Sequence, residues 1–525
     1  MSEYNKEIAR GIAEELGLNE DQNVIFHKLV DGKNVYLAGN AGTGKSYLVK
    51  AFIRYCEDTK RKLLKSASTG IAAVNIGGVT VHSLFKLSGD DLQTANLVKP
   101  VKSVPEKVKE ILKLAQTLLI DEISMLRMDL FDKVMTYVFL ENQTRMRQGR
   151  MPIQLVFVGD FFQLAPVVKK DVDDKILKEA YGRDVGFAYC FQSKFWQAMD
   201  MQHCTLTEIV RQTDEDFCKA LDQCKMGDST CLEFFANRTA KEEIPDAVWL
   251  YGKNKSAFEK NQECLKKLES PLCCFEAEYS GDAVKEDGIC EDKLWLKVGA
   301  RILMTANDTN HRYYNGSMGT IIKFSGDSII VEIDDDKAQG YVSVERKTYE
   351  KRDYKEKTVI ETITNPDGTV SKKKTTELVL ETTGKAEQFP MKLGYAITIH
   401  KSQGQTYEAM NLSPEIFAVG QLYVALSRCK SAEKMYIAAP LTNKMLLTSK
   451  QVVAYYESPD TYSFFGSGEN MVNVPVPQKH KAIVERVLKA IAGREDEFAK
   501  VLRKFENSRE GREDGIQLSL LEDVS

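Results

Sequence analysis

Eight residues near the start of the chain constrain the fold more than any other segment. Their sequence, GNAGTGKS at 39–46, has the spacing G-x-x-x-x-G-K-[ST]. The apolar run 35–38 before it predicts a buried strand, and 47–53 after it has helical spacing. A glycine-rich loop between a strand and a helix directs backbone N–H groups at phosphate oxygens. The segment therefore predicts a parallel α/β sheet that carries a phosphate-binding loop.

The side chains of this loop suit the two charged partners of a nucleotide. Lys45 carries the positive charge that the β- and γ-phosphates require, and the Ser46 hydroxyl is a ligand for Mg²⁺. We therefore expect the chain to bind ATP together with Mg²⁺. The residues expected to form the cradle are Gly39, Ala41, Gly42, Thr43, Gly44, Lys45 and Ser46.

Length and composition restrict the class of protein without indicating a substrate. A chain of 525 residues exceeds the roughly 250–300 residues of a single core, which predicts several domains. No apolar run reaches the ~20 residues that cross a bilayer, and the N-terminus lacks a signal or transit pattern. We therefore expect a cytoplasmic protein without a membrane partner. The net charge of −4 neither favours nor excludes nucleic acid, because a binding groove needs only local positive charge.

The cysteines indicate a reducing compartment. Eleven cysteines occur without a C-x-x-C pair, unlike a disulfide framework or a zinc ribbon. Cys218, Cys224 and Cys231 allow two interpretations, metal ligands or thiols packed on helices. Their helical spacing and apolar neighbours favour packed thiols.

The first 204 residues alternate short apolar strands with helical stretches, which predicts one parallel-sheet domain. Ligands of such sheets bind at the carboxyl ends of the strands. A polar segment at 88–105 has too few apolar positions for a core element, so we expect a projecting loop or a small subdomain, within an insert at about 86–108. The predicted strands are 35–38, 62–67, 117–120 and 155–158.

A second α/β series is predicted for 205–293 and 393–460, with an insert of a different kind at 294–392. Within the insert, alternating runs flank a turn at 325–327 and a second turn, Asn-Pro-Asp-Gly, at 365–368. These turns predict a small antiparallel β-barrel or sandwich with a long, charged hairpin. The lysines at 372–374 near the hairpin tip are either solvated charges or part of an arm that contacts duplex DNA. The last stretch, 461–525, is predicted to be a helical extension and a charged tail.

Two adjacent acids follow a buried strand at 118–120. At a strand tip beside a phosphate loop, Asp121 can hold the water shell of Mg²⁺, and Glu122 can take the proton of the attacking water. The alternative is a surface acidic pair. Gln163, after another apolar strand, is a candidate sensor of the γ-phosphate. Phe161 beside it is either a stacking platform or core, as is Phe85, and core is the stronger interpretation for both.

Hydrolysis also requires positive charge on the transferred phosphoryl group, a task that arginine performs in related chemistry. Two candidates lie in the second α/β series, Arg211 in LTEIVRQ and Arg428 in YVALSR. Each is alternatively a surface arginine at a helix end. If both reach the phosphate loop, ATP lies in a cleft that the second domain closes.

Seven blocks occur in one order along the chain: AGNAGTGKS, SASTGIAAVNIGGVTVHSLF, LLIDEISML, FVGDFFQLAPV, LTEIVRQ, AITIHKSQGQTYE and YVALSRC. This set resembles superfamily 1B helicases, and most closely the petite integration frequency (PIF) family of 5′→3′ DNA helicases, relatives of RecD. The resemblance covers about 17–445. It implies two RecA-like P-loop domains, an SH3-like β-barrel insert, and a strand-separating wedge at the polar segment near 88–105.

The resemblance also implies roles for individual residues. Gln22 would contact the adenine edge, and Gln403 and Gly404 would link the DNA contact to the γ-phosphate region. The residues implied to contact the DNA backbone are Thr69, Gly70, His82 and Ser83 in the first domain and Asn254, Thr398, His400 and Lys401 in the second. A purely structural histidine remains the alternative for His82 and His400.

The expected function is an ATP- and Mg²⁺-dependent 5′→3′ DNA helicase that tracks single-stranded DNA and unwinds forked or structured DNA. The family likeness implies work in replication, repair, recombination or telomere maintenance, with a monomer as the expected state and the bacterial nucleoid as the expected location. Two alternatives remain: a nucleotide-switched binding protein that remodels partners without unwinding, and a helicase module of a conjugative relaxase. No nicking domain precedes the phosphate loop in this sequence, which disfavours the relaxase.

The C-terminal tail carries a short apolar cluster after a charged linker. Its residues, Gln517, Leu518, Ser519, Leu520 and Leu521, resemble the bacterial sliding-clamp-binding peptide, Q-L-[SD]-L-[FL]. Such a peptide docks as an extended segment in an apolar pocket. The alternative is a terminal helical turn that packs on the body of the protein.

Overall fold

The computed structural model describes residues 3–87, 89–169, 172–182, 184–209, 211–212, 214–334, 340–364 and 370–457. The chain forms two units. Among the described residues, the first comprises those up to Cys190 and those from Gln202 to 457, and the second comprises Phe191–Met201. Within the second unit, the Ser193 hydroxyl accepts hydrogen bonds from the backbone N–H groups of Phe195 and Trp196 and so starts a short helix.

Up to residue 206, six strands form one sheet. The helices of this part of the chain precede the strands or lie between them in sequence, and the helix Lys194–Ala198 among them belongs to the second unit. In chain order these helices and strands are α1 (Glu3–Glu15), α2 (Glu20–Val30), β1 (Asn34–Gly39), α3 (Lys45–Asp58), β2 (Leu63–Ala67), α4 (Gly70–Asn75), β3 (Val79–Thr80), α5 (Val81–Leu84), α6 (Thr94–Leu97), α7 (Glu106–Leu114), β4 (Thr117–Asp121), α8 (Met128–Arg147), β5 (Gln154–Val158), α9 (Asp173–Tyr181), α10 (Lys194–Ala198) and β6 (Met201–Leu206).

The strand order of this sheet is β3-β2-β4-β5-β1-β6, and the pairs β3–β2, β2–β4, β4–β5 and β5–β1 are parallel. The four predicted strands are thus confirmed as β1, β2, β4 and β5. They are apolar because helices cover the sheet, which leaves the central strands buried. Parallel pairing brings their carboxyl ends to one edge, where β1 leads into the phosphate loop and β4 ends at Asp121.

The polar segment 88–105, for which the composition predicts a projecting loop or a small subdomain, is bonded through Thr94 to the rest of the first sheet's domain. It contains α6, in which Thr94 and Leu97 are buried. The Thr94 hydroxyl donates to Asp173 Oδ1 at 2.6 Å, and the Arg127 guanidinium bonds Thr94, Asp129 and Asp173. These hydrogen bonds and ion pairs satisfy the buried Thr94 hydroxyl, which allows this part of a polar segment to pack on the body of the domain.

The remaining elements form three further sheets and a hairpin arm. They are α11 (Glu215–Met226), α12 (Cys231–Arg238), β7 (Val248–Tyr251), α13 (Asn254–Lys266), β8 (Cys273–Glu276), β9 (Glu278–Gly281), β10 (Lys293–Leu296), β11 (Arg301–Met304), β12 (Met318–Ser325), β13 (Ser328–Ile333), β14 (Tyr341–Glu345), β15 (Lys347–Thr364), β16 (Val370–Gln388), β17 (Met391–Leu393), β18 (Ala396–Thr398), β19 (Met410–Leu412), α14 (Gln421–Leu426), β20 (Met435–Ile437) and α15 (Lys450–Glu457).

A second parallel sheet has the order β18-β7-β19-β20. Between its strands in sequence lies a five-stranded antiparallel sheet, β14-β13-β12-β11-β17. The predicted turn at 325–327 joins β12 and β13, which pair from Gly319↔Ile333 to Ser325↔Ser328. The mixed α/β architecture with parallel sheets is therefore confirmed, whereas closure of the insert into an SH3-like barrel stays a prediction, as do the domain boundaries.

The predicted hairpin is the longest ladder described, with β15 paired to β16 from Lys347↔Gln388 to Thr364↔Val370. Its middle packs on the first sheet's domain. The buried Tyr354 accepts a hydrogen bond from the Lys65 backbone N–H at 2.8 Å, Lys62 Nζ donates to Thr376 O at 2.7 Å, and Lys86 pairs with Asp353. The arm is thus attached along part of its length, an outcome that its charged sequence did not indicate.

Several sequence predictions fall outside these elements. The turn at 365–368 and the tail from 458, with its clamp-like peptide, lie outside the described residues, as do the side chains of Lys372 and Lys373; Lys374 is exposed. In the part of the chain that is described, no helix has the length and apolar character to cross a bilayer. Cys224 and Cys231 are buried free thiols, and Cys218 is half-buried.

Candidate nucleotide and nucleic-acid sites

The phosphate loop connects β1 to α3, as the motif predicts. Gly42 and Gly44 have φ values of +88° and +85°, a region that L-residues with a Cβ avoid. Lys45 Nζ donates to Gly39 O at 2.7 Å and to Asn40 O at 3.0 Å, so the lysine is held inside its own loop. Burial lowers the pKa of Lys45, and the nearby carboxylates of Asp160, Glu122 and Asp121 partly offset this effect.

The two acids lie together at the tip of β4. The Glu122 backbone N–H donates to Asp121 Oδ1 at 2.8 Å, and Glu122 has a φ of +51°, unusual for a residue with a side chain. Burial, together with the negative charge of Glu122, raises the pKa of Asp121 to about 7. Burial also raises the pKa of Glu122, against the opposing effects of Lys45 and Arg428. Desolvated carboxylates beside a buried lysine favour a bound cation and a proton acceptor over a surface acidic pair.

Gln403 joins the two halves of the chain at this point. Its Nε2 donates to Glu122 Oε2 at 2.9 Å and to Gln163 Oε1 at 3.2 Å. Gln163 is 5% exposed and in turn donates to Asp160 Oδ2 at 3.3 Å. The Oε1 of Gln403 is buried and accepts no hydrogen bond from any described residue. A buried acceptor without a donor beside Glu122 is the type of group that binds a water or a ligand.

Both candidate arginines lie at the same place. Arg428 is 2% exposed; its Nε donates to Val424 O at 2.9 Å, and its pKa is lowered by burial. Arg211 NH1 donates to Ser427 O at 3.0 Å, and a Cβ built on Gly42 would lie 2.5 Å from Arg211 Cβ. Arg211 therefore packs directly on the phosphate loop, and burial and Arg428 lower its pKa to about 9. The structure brings both arginines to the pocket of Lys45 and Glu122.

Gln22 borders the other end of the loop. It is buried at the start of α2, where Asn19 and Gln22 form a reciprocal capping box. A Cβ built on Gly44 would lie 2.6 Å from Gln22 Nε2, so the amide abuts the loop where α3 begins. This position suits a contact with a nucleotide bound by the loop, although no described contact identifies the base.

The four candidate DNA contacts of the first domain follow two neighbouring strands, β2 and β3. Because Ala67 pairs with Thr80, the chain after both strands lies at one edge of the sheet. The Thr69 hydroxyl caps α4 by accepting from Ala72 N–H, and Gly70 faces open space. His82 is half-buried in α5 beside Ser83, and burial lowers its pKa. His82 can therefore contact a phosphate only as a neutral hydrogen-bond donor near pH 7.

The four candidates of the second domain are arranged in the same way. Thr398 pairs with Tyr251, so the chain after β18 and the start of α13 at Asn254 share an edge. Asn254 and Lys401 are exposed, whereas Thr398 is 5% exposed and its hydroxyl accepts from Lys401 N–H. His400 is half-buried, with its pKa lowered by burial. Gly404 has a φ of +79° and open space around it.

Sequence reasoning missed several residues of the site. Tyr423 and Gln212 stand in the quoted blocks YVALSRC and LTEIVRQ but received no role. Gln212 donates to Ser427 O and Cys429 O on either side of Arg428. Lys392 borders Lys401, and burial together with that charge lowers its pKa to about 8. Phe85 and Phe161, candidate stacking platforms, are fully buried and belong to the core.

Comparison with known proteins agrees with this arrangement. A family model described as PIF1-like helicase matches residues 17–231. The ATP-dependent DNA helicase Pif1 of Campylobacter jejuni is 31% identical over 453 residues, which cover 82% of this chain and 92% of that protein. The human ATP-dependent DNA helicase PIF1 is 29% identical over 439 residues, covering 80% of this chain and 60% of the human one.

Solved structures show the same likeness. Pif1 from Bacteroides sp in complex with ADP-AlF4 has a TM-score of 0.69 at 27% identity, covering 84% of this chain and 98% of that chain. Pif1 helicase from Candida albicans has a TM-score of 0.61 at 26% identity, covering 84% of this chain and 99% of the other. With its phosphate loop, acidic strand tip and paired arginines in one pocket, the chain belongs to the PIF1-like helicase family.

Proposed function

We propose that this protein is an ATP-dependent DNA helicase that moves 5′→3′ along single-stranded DNA and separates duplexes. The observation that carries the proposal is the contact of Gln403 with Glu122 and Gln163. Gln403 follows the short helix His400–Ser402, which contains His400 and Lys401, candidate DNA contacts of the second sheet. A change at the DNA contact is therefore transmitted within a few residues to the carboxylate that would activate water.

The residues of the pocket fit ATP and Mg²⁺. Lys45, which donates to loop carbonyl groups, is available to β- and γ-phosphate oxygens, and Ser46 and Asp121 offer the oxygen ligands that Mg²⁺ prefers. When bound, the metal neutralises charge on the phosphates. Glu122, with its raised pKa, accepts the proton of the attacking water, which the unpaired Oε1 of Gln403 helps to orient.

Arg211 and Arg428 supply the charge that the transferred phosphoryl group requires. Both belong to segments of the second α/β series, so hydrolysis requires the two sheets to be closed on the nucleotide. When the two sheets open after product release, the distance changes between the candidate DNA contacts of the first sheet and those of the second. Such a change in distance is how a motor would step along the strand. Similar solved structures support DNA as the substrate. One is Bacteroides Pif1 bound to single-stranded DNA, and another concerns unwinding of forked duplex DNA by two coordinating Pif1 helicases.

The test uses Glu122→Gln and forked DNA. The variant should bind ATP normally and lose at least ~10²-fold in hydrolysis, because a general base contributes about that much or more. Wild-type protein should unwind a duplex with a 5′ single-stranded tail and leave one with only a 3′ tail paired. Normal hydrolysis by Glu122→Gln contradicts the base assignment. DNA-stimulated hydrolysis without strand separation indicates a remodelling ATPase, and a 3′-tail preference reverses the direction.

Two finer points belong to the same proposal. The cluster at 517–521 is proposed to bind a bacterial sliding clamp, on the strength of its match to Q-L-[SD]-L-[FL]. Such a contact would retain the protein on DNA during replication or repair. The nucleoid is accordingly the proposed place of action.

A further inference from the structure

We propose that Tyr423 is a ligand-binding residue of the ATPase site, whose hydroxyl donates a hydrogen bond to the terminal phosphate of a bound triphosphate. The residue would thereby distinguish ATP from ADP. This inference rests on the proposed function, because it assumes that the loop 39–46 binds the nucleotide.

The first observation is the contact between Tyr423 and the phosphate loop. The backbone N–H of Ala41 donates to the Tyr423 hydroxyl oxygen at 3.0 Å, and both residues are buried. Ala41 directly precedes Gly42, in the first half of the loop, on the side away from α3. The hydroxyl from the second α/β series therefore touches the loop that would surround the phosphates.

The second observation concerns the hydroxyl proton. A tyrosine hydroxyl accepts hydrogen bonds and also donates one. Tyr423 uses its acceptor capacity for Ala41, but no described residue accepts its proton. Burial raises the pKa of Tyr423 well above its usual value, so the group remains a neutral donor. A buried donor without an acceptor is costly, and a phosphate oxygen would remove that cost.

The third observation is that Tyr423 and Arg428 are parts of one rigid element. Tyr423 lies in α14, and Arg428, two residues after this helix ends, folds back to donate to Val424 O at 2.9 Å. At the other end of α14, Gly420 meets the backbone of Phe162 and Gln163 so closely that a Cβ would not fit. The helix therefore delivers a guanidinium and a hydroxyl to the pocket together.

The charged side chains of the pocket and the Tyr423 hydroxyl would have different roles. Arg211 and Arg428 would act on the transferred phosphoryl group and Lys45 on the β- and γ-phosphates, in each case through positive charge. Tyr423 is uncharged, so it adds affinity only where an acceptor lies within reach of its hydroxyl. The contact with Ala41 fixes that hydroxyl at the loop. The proposal places the terminal phosphate of a triphosphate, which a diphosphate lacks, within its reach.

The experiment measures equilibrium binding to the full-length protein with Mg²⁺ and without DNA. The two ligands are a fluorescent non-hydrolysable ATP analogue and the matching ADP derivative. Tyr423→Phe, which removes only the hydroxyl, should weaken binding of the triphosphate by about 10-fold, and of the diphosphate by less than about 2-fold. Tyr181→Phe is the matched control. It loses a hydroxyl that donates to Asp132 at 2.8 Å on α8, outside the pocket, and should leave both affinities unchanged.

The outcomes separate this inference from the function on which it rests. Equal weakening of both nucleotides by Tyr423→Phe would show that the hydroxyl only shapes the loop, and unchanged binding of both would show that it contributes nothing; either result overturns the proposal. Lys45→Ala should weaken both nucleotides strongly. If it binds both normally, the assignment of the nucleotide site itself is wrong.

Discussion

Replacing Gly420 by alanine tests whether close packing of α14 on the first sheet's domain sets the ATPase rate. Gly420 precedes α14 with a φ of +74°. An added Cβ would lie 2.5 Å from Phe162 O and 2.6 Å from Gln163 C, and closer still to Gln163 O. Since ordinary carbon–oxygen contacts are about 3.3–3.6 Å, α14 must move by about 1 Å.

That displacement carries Arg428 and Tyr423 with the helix. A misplacement of about 1 Å in a positioned group costs on the order of 100-fold in rate. We therefore expect Gly420→Ala to lower kcat for ATP hydrolysis by about 100-fold at saturating single-stranded DNA. The left-handed φ adds about 1–2 kcal/mol of strain, which lowers the free energy of unfolding.

Gly326→Ala separates the two effects. Gly326 has a φ of +59° in the turn between β12 and β13, with no atom within 4 Å of an added Cβ. The control therefore carries the left-handed strain without the collision. Steady-state hydrolysis and urea unfolding are measured for both variants. If kcat of Gly420→Ala stays within about 3-fold of that of Gly326→Ala, contact at this point does not position the arginine, and the reasoning is wrong.

Two further predictions concern stability. The pKa of Asp121 is about 7 in the folded protein, above its ordinary value of about 3.9, so the folded state binds the proton more tightly and loses stability as pH rises between these values. In urea unfolding without Mg²⁺ or nucleotide, the free energy of unfolding of Asp121→Asn should therefore exceed that of the wild type by up to about 4 kcal/mol at pH 8, since one pKa unit corresponds to about 1.4 kcal/mol. The difference should shrink toward pH 4, and equal stability at pH 8 would contradict the burial argument. Tyr354→Phe removes the hydrogen bond from Lys65 N–H and should cost about 1 kcal/mol while speeding hydrogen exchange at the Lys65 amide; unchanged exchange there would mean that the arm is not attached through this contact.

The parts of the site that were predicted from sequence depend on local chemistry. Eight consecutive residues specify the phosphate loop, because its glycines must adopt left-handed φ values and its lysine must follow them directly. Asp121 and Glu122 were placed at a strand tip because an apolar run ends at two charges. The roles proposed for Arg211 and Arg428 are more distant inferences, yet the structure packs Arg211 on the loop and places Arg211 against Ser427, next to Arg428.

Other features had no local pattern that could reveal them. The attachment of the segment at 88–105 could not be predicted locally, because its Thr94 hydroxyl bonds with Arg127 and Asp173, which lie elsewhere in the chain. The attachment of the hairpin through Tyr354 depends on one aromatic side chain in a charged strand. Tyr423 received no role from its sequence, because its hydroxyl meets Ala41 N–H, 382 residues away in the chain.

The sequence by itself determined the phosphate loop and the strands beside it. It also determined that two parts of the chain each form a parallel sheet. Each of these features depends on residues that are neighbours in the chain. Only the tertiary structure decided that Gln403 bonds Glu122 across 281 residues and that α14 presses on the loop after β5. These contacts lie where residues from distant parts of the chain pack together. Their geometry depends on the fit of whole surfaces and not on any periodicity along the chain.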